Sequence, residues 1–245
     1  MSAGPRLGYL PDMRTIVLEG RGPNTLSRVM LDDLVHKLEA AGDEPVLLTG
    51  AGDAFSSGLD LEALARADVS EVGELLDAME RAVQRLFLHP APTVAAVNGH
   101  AVAGGCLVVQ CCDYRVAVDD PNVRFGMTGV AIGLIYPPFV PAVFRARVPV
   151  PHCETVLLAA RRYGPGEALG LGLVDELVAR DRLSARAAEI LDERAALPRR
   201  AYAATKRALR EPAYAGVSEA HARFRDEAVP SWTHAIFGSR PTPVL

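Results

Sequence analysis

The sequence predicts an α/β fold closed by a helical C-terminal region. Three observations predict it. Short β-prone runs alternate with segments of helical apolar spacing, the exits between them are rich in glycine, and the chain beyond about Ser184 carries helical patterns alone.

Residues 15–19 (TIVLE) and 46–49 (VLLT) read as short strands, each ended by a glycine-containing turn. Between them, 26–41 places apolar residues at helical spacing, so the chain opens as β-α-β. Asn24 and Ser27 can each cap that helix, because their side-chain oxygens accept the free N–H groups of its first turn. Val72, Leu75, Leu76, Met79, Val83 and Leu86 lie three and four apart and predict a second helix that stops before Pro90 and Pro92. Thr93–Val97 reads as a fully buried strand, followed by Asn98-Gly99, the pair Gly104-Gly105 and an apolar helix to about Cys112. Tyr114–Val118 is the next strand.

From 122 to 151, Gly126, Gly129, Gly133, Pro137, Pro138 and Pro141 interrupt any long period, and the stretch reads as loops lining a pocket. Residues 174–178 supply one more short strand. Pro198, Pro212 and Pro230 divide the helical remainder into separate segments. No repeat of fixed period is visible. The division expected is a catalytic core over 1–195 and a helical region over 196–245.

The chain of 245 residues is 49% hydrophobic and 23% charged, the balance of a protein that folds nearly throughout. Its net charge of -4 gives no global attraction to nucleic acid. No apolar run approaches the roughly 20 residues that span a bilayer, and the first residues lack the apolar stretch of a signal peptide, so the expected location is cytoplasmic, with no membrane partner. The four cysteines, Cys106, Cys111, Cys112 and Cys153, include no CxxC pair and no histidine at zinc-site spacing, so no metal is expected.

Two segments carry the chemistry: residues 52–61 (GDAFSSGLDL) and 92–106 (PTVAAVNGHAVAGGC). Each is a strand exit running through small residues into a helix. Such a turn leaves backbone N–H groups pointing outward, because glycine and serine let a ligand approach and the first donors of a helix have no internal partner. Two such turns brought together make an oxyanion hole.

FSSGLDL (55–61), PTVAAVNGHAVAGGC (92–106), CDYRVA (112–117), GPNTLS (22–27) and ALGLGLVDE (168–176) together resemble the signature segments of the crotonase superfamily. This is the enoyl-CoA hydratase/isomerase type, and the resemblance covers roughly residues 14 to 210. It is closest to the enoyl-CoA delta-isomerase branch. It implies a superhelix of β-β-α repeats with a C-terminal trimerisation region, packed between subunits as a homotrimer or a dimer of trimers. It also implies an acyl-CoA thioester as substrate and a place in fatty acid metabolism. CoA enters as part of the substrate, with no separate cofactor. By position, the oxyanion donors would be the backbone N–H groups of Ser56 and Gly104. The loop containing Ala54, Ser56, Gly58, Asp60 and Leu61 would bend around the CoA adenine, with Asp60 fixing the loop. His100 is a candidate base.

The chain departs from that family at the catalytic carboxylates. Hydratases use two glutamates, and here those positions hold Leu107 and Gly129. Adding water to a double bond needs a base and an acid, and neither residue is either, so the resemblance points to isomerase-like enolate chemistry rather than ordinary hydration. Isomerases keep the second glutamate, which is also Gly129 here; Glu74, Asp77 and Glu80 on the second helix read as solvated faces. Two alternatives stand beside it. A malonyl- or methylmalonyl-CoA-type decarboxylase, a lyase, is resembled at Phe125-Gly-Met-Thr128 and Gly133-Leu-Ile-Tyr136, with Tyr136 matching its active-site tyrosine. A catalytically inactive acyl-CoA-binding subunit would explain the missing glutamates. Near the end, Trp232 and Phe237 are candidates to cap the acyl pocket or to bury against a neighbour.

Overall fold

In the computed structural model, residues 15–237 are described, with the backbone alone for 230, 231 and 233–237. The first half runs β1 (Thr15–Leu18), a single kinked turn α1 (Arg21–Asn24), α2 (Arg28–Ala41), β2 (Val46–Gly50), β3 (Ala54–Ser56), α3 (Leu61–Leu64) and α4 (Val69–Phe87). Then follow β4 (Thr93–Val97), β5 (His100–Val102), α5 (Gly104–Cys111), β6 (Tyr114–Val118), β7 (Phe125–Gly126), α6 (Phe139–Arg147), α7 (Val150–Leu158), α8 (Pro165–Gly170) and β8 (Glu176–Val178). The chain closes with α9 (Leu183–Ala195), α10 (Arg199–Tyr214) and α11 (Val217–Phe237).

The runs rich in Val, Leu and Ala form a five-stranded sheet in the order β1-β2-β4-β6-β8, every neighbour parallel. Both its faces are covered, which is why β2 and β4 are buried at every position. A smaller parallel sheet, β3-β5-β7, stands beside it. Strands β2, β4 and β6 each hand the chain to a short strand of the second sheet before a helix returns it, the β-β-α repeat that the resemblance implied.

Local chemistry explains most element ends. Ser27 caps α2 by accepting from the Met30 N–H, 3.3 Å, whereas Asn24 does not cap it. Asn24 instead takes a left-handed φ of 55° and donates to the carbonyls of Ala51 and Ala54. Helix α4 starts in a reciprocal capping box between Asp68 and Glu71.

Three expectations are corrected. The stretch 122–151 is not loop throughout, since α6 fits inside it; Pro141 stands in the first turn, where its missing N–H has no helical partner to lose. Pro212 lies within α10 and Pro230 within α11, so neither divides the helices as expected.

Helices α10 and α11 pack on α6 and α4 of their own chain. The contact is held by Asp113, just before β6. Its carboxylate meets Lys206 Nζ at 2.8 Å, Arg210 Nη2 at 2.7 Å and the Tyr202 hydroxyl at 2.8 Å, with both cations nearly as buried as the carboxylate. Burial alone would raise the Asp113 carboxyl, but the Lys206 and Arg210 cations hold it below the usual carboxylate range. A depressed carboxylate stabilises the fold fully above its unfolded pKa, about 3.9, and that contribution drains away as pH falls through the folded value. Replacing Asp113 with Asn leaves two buried cations without a counter-charge. We expect Asp113→Asn to lower unfolding free energy by about 3–5 kcal/mol in urea titrations at neutral pH. The gap between variant and parent should shrink as the pH is taken below about 4.

Candidate active site

The two glycine-rich exits meet because one side chain ties them. Asn98, fully buried, accepts from the Gly50 N–H at 3.1 Å and donates to the carbonyls of Gly50 and Gly52 at 3.0 and 2.8 Å. The Thr49 hydroxyl completes the set at 3.3 Å. The β2–β3 turn is thereby fastened to the β4–β5 turn. Gly99 fits beneath it only as glycine, because a Cβ there would lie 1.9 Å from the Asp53 carbonyl oxygen.

Beyond β3 the chain turns at Gly58, whose φ is +87°. The Leu26 N–H donates to the Gly58 carbonyl at 2.8 Å, making a parallel bridge between Leu26 and Leu59. In that pairing the Leu59 N–H faces away from Leu26, and Leu59 and Gly104 both line a cavity of about 150 Å³. Gly104 is the first residue of α5, so its N–H has no helical acceptor. Among the described residues neither amide has a hydrogen-bond partner. The two exits are in contact here: a Cβ on Gly58 would lie 2.8 Å from the Gly104 nitrogen. Two free donors beside one cavity can receive an oxygen that gains negative charge, and the N-terminal end of α5 adds a favourable dipole.

The sequence-predicted residues divide. Gly104 and Leu61 line the cavity. Ser56 does not, and its expected role as first donor is corrected. It sits fully buried at the end of β3, its hydroxyl donating to the Asn24 carbonyl at 2.8 Å and accepting from the Gly58 N–H at 3.2 Å. The amide that faces the cavity comes only after the turn at Gly58. His100 is corrected as well: it is exposed, outside the lining, and its Nδ1 accepts from the Arg124 N–H at 3.0 Å. Ala54 begins β3, with its carbonyl accepting from Asn24 and Asn98. Asp60 caps α3 by accepting from the Ala63 N–H at 3.0 Å, the loop-fixing role expected of it.

Tyr136 does reach the cavity. Its hydroxyl oxygen accepts from the Gly129 N–H at 3.1 Å, which leaves its own proton free to donate. Burial pushes the phenol up, against the opposing pull of the Gly129 N–H, so it keeps that proton at neutral pH. A Cβ at Gly129 would lie 2.8 Å from Tyr136 Cε1. The tyrosine ring thus occupies the space through which a side chain at 129 would have to leave the backbone. Leu107 also lines the cavity, as do Leu76, Met79 and Phe139.

Among the described lining residues there is no carboxylate and no imidazole. Glu74, Asp77 and Glu80 are engaged elsewhere, with Arg28, with His221 and Arg225, and with Tyr214 and Ser218. They are therefore paired rather than simply solvated. Trp232, on α11, also lines the cavity, its indole N–H donating to the Ile135 carbonyl at 2.8 Å. The Phe237 side chain lies outside the described ones. Burial pushes the Cys106 thiol, nearby but outside the lining, up to about 12, so it is no nucleophile at neutral pH. No cluster among the described residues could hold a metal ion.

The sequence reading missed Leu59, because a leucine contributes nothing but its amide and no side-chain chemistry marks it. The signal was Gly58: a glycine needing positive φ reverses the peptide plane that follows. Arg162, also in the lining, was not singled out.

A family model described as enoyl-CoA hydratase/isomerase matches residues 13–231. Enoyl-CoA delta isomerase 1, mitochondrial, of Mus musculus is 28% identical over 202 residues, 80% of this chain and 70% of that protein. Enoyl-CoA hydratase domain-containing protein 3, mitochondrial, of Rattus norvegicus is 33% identical over 76% of this chain, a match that spans 63% of the rat protein's length. The crystal structure of human mitochondrial delta3-delta2-enoyl-CoA isomerase superposes with a TM-score of 0.81 at 28% identity, covering 92% of this chain and 90% of that one.

The exclusion between Gly129 and Tyr136 can be measured. Gly129→Ala should cost about 1–3 kcal/mol of stability through overpacking. In a Tyr136→Val background that cost should fall to within about 0.5 kcal/mol, as a double-mutant cycle in urea would read.

Proposed function

Because the chain belongs to the enoyl-CoA hydratase/isomerase family, we propose that its cleft binds an acyl-CoA thioester and holds the carbonyl oxygen between the Leu59 and Gly104 N–H groups. The single observation that carries this reading is the pair of unpartnered amides beside one largely apolar cavity. An enolate concentrates charge on that oxygen, and a preorganised donor at such a site is worth about 3–4 kcal/mol in the transition state. The pantetheine arm would leave past Leu61, with the nucleotide against the 54–61 loop. CoA enters only as part of the substrate. The free, buried thiols support a reducing, cytoplasmic setting. The homotrimer or dimer of trimers implied by the family belongs to the same proposal.

The lining supports an enolate that forms without a side-chain base. Loss of CO₂ from a 2-carboxyacyl thioester is such a reaction. The bond between C2 and the carboxyl carbon breaks, its electron pair becomes the enolate, and CO₂ leaves. The Tyr136 hydroxyl, still protonated at neutral pH, then delivers a proton to C2 and recovers one from solvent. Ordinary hydration finds neither acid–base pair nor water-activating carboxylate here. Isomerisation of an enoyl thioester is the second reading, favoured by the delta-isomerase relatives. It requires one group to take a proton from C2 and return it at C4, and the described lining offers no carboxylate or imidazole for that exchange.

The test is turnover across malonyl-, methylmalonyl-, 3-enoyl- and 2-enoyl-CoA. We expect CO₂ release from the first two, no hydration of the last, and a fall of about a hundredfold or more in kcat for Tyr136→Phe. Double-bond migration without CO₂ release would establish the isomerase instead. Tight binding with no turnover of any thioester would leave a binding subunit.

A further inference from the structure

One charged side chain enters the lining of the cleft: among the described lining residues, Arg162 alone carries a formal charge. It lies on the segment that follows the left-handed turn at Ala160, φ 51°. Tyr163, the next residue, pairs with Phe125 of β7 in both directions, at 2.8 and 3.0 Å, which extends the small sheet by one strand-like step. The neighbouring Arg161 is already used, paired with Glu167 at 3.2 Å and set over the Tyr163 ring. Arg162 has no ion pair or hydrogen bond among the described residues. An uncompensated cation beside an apolar cavity creates a local potential that favours an anion arriving with the ligand.

We propose that Arg162 selects acyl-CoA thioesters whose acyl group carries a carboxylate. The proposal rests on reading the cleft as an acyl-CoA site. An acyl-CoA brings two kinds of anion, the phosphates of CoA and any carboxylate on the acyl chain. The topology separates them. The 54–61 loop leaves the β3 edge of the small sheet, whereas Arg162 lies past β7 on the opposite edge. Strands about 4.8 Å apart put those edges more than 10 Å from each other. A nucleotide against the loop leaves Arg162 to the acyl end. There it shares the lining with Thr128, Gly129 and Tyr136. Arg162 is exposed, so water screens the pairing. A screened pair chooses between substrates without gripping a carboxylate so firmly that loss of CO₂ is opposed.

The experiment compares equilibrium binding within two matched pairs that carry no 2-carboxyl group to lose, succinyl- against butyryl-CoA and glutaryl- against pentanoyl-CoA, in the parent, Arg162→Gln and Arg162→Lys. The parent should prefer the carboxylated member of at least one pair by roughly threefold. Arg162→Gln should bring that ratio to about one, and Arg162→Lys should keep most of it. Equal weakening of all four thioesters by Arg162→Gln would mean that the arginine reads a CoA phosphate, which overturns the proposal. No preference in the parent overturns it as well. Failure of the parent to bind any of the four would sink the acyl-CoA reading itself, a different result from either.

Discussion

The amide of Asn98 is the constraint on which the cleft depends. It belongs to the β4–β5 turn, and its hydrogen bonds reach Thr49 and Gly50 at the end of β2 and Gly52 in the β2–β3 turn, so both passages from the large sheet to the small one are tied together. Buried amide groups left unpaired cost about 1–3 kcal/mol each, so the two turns cannot separate without exposing several such groups to an apolar interior. The close approach is then enforced by small residues. A Cβ at Gly105 would stand 2.2 Å from the Ser56 carbonyl oxygen, and one at Gly58 would collide with the start of α5. Arg180 adds a last tie from the far end of the fold, donating to the Asn98 carbonyl at 2.7 Å while pairing with Asp120 at 2.9 Å.

Fixing the two exits also fixes what the cleft can hold. The space beside the free amides is shared by a tyrosine ring and by backbone at 129, and the ring takes the volume that a side chain would need. Glycine at 129 and tyrosine at 136 are therefore one choice rather than two. Packing also governs position 107, where the leucine belongs to a continuous core with Met79 and Phe139. A carboxylate there would be desolvated with no cation among its described neighbours in the lining except Arg162, across the cavity. The absence of a carboxylate at 107 and 129 is thus matched by the packing around both positions.

Much of the fold was legible in the sequence because long elements carry their own periodicity. Strands β2 and β4 are continuous apolar runs, and α4 shows its buried face at three- and four-residue spacing. The strands β3, β5 and β7, of two or three residues each, were not read as strands from pattern. Segments so short have no period of their own, and their extended form comes from pairing with partners distant in the chain. The prolines misled for a related reason. A proline breaks a helix by the hydrogen bond it removes, but at Pro141 none is lost, and at Pro212 and Pro230 the helix continues through. The site was legible as two converging turns and as one donor, Gly104, which lines the cavity. The other donor was placed at the Ser56 amide by its position in the family pattern, whereas the residue in the lining is Leu59, whose amide direction depends on the φ of the glycine before it.

The remaining link joins the helical tail to the chemistry through α5. The N-terminal end of that helix faces the cleft, and its C-terminal carbonyls are met by cations from two other helices. Arg147 of α6 donates to the carbonyls of Gln110 and Cys112 at 3.3 and 3.0 Å, and Arg210 of α10 donates to Cys111 at 2.9 Å. Cations at a helix C-terminus favour the orientation of its dipole, and here the residues bearing the carbonyls and Arg210 are buried, where screening by water is weakest. Burial and the neighbouring cations Arg115 and Arg210 push the Arg147 guanidinium down to about 10, still charged at neutral pH. Asp113 anchors the Lys206 and Arg210 ends of the same arrangement. The positive end of α5 therefore points at the place where an oxyanion would form, while its negative end is neutralised inside the protein. Packing of the C-terminal helices is in this sense part of the electrostatics of the cleft, although Lys206 and Arg210 themselves are not among its lining residues.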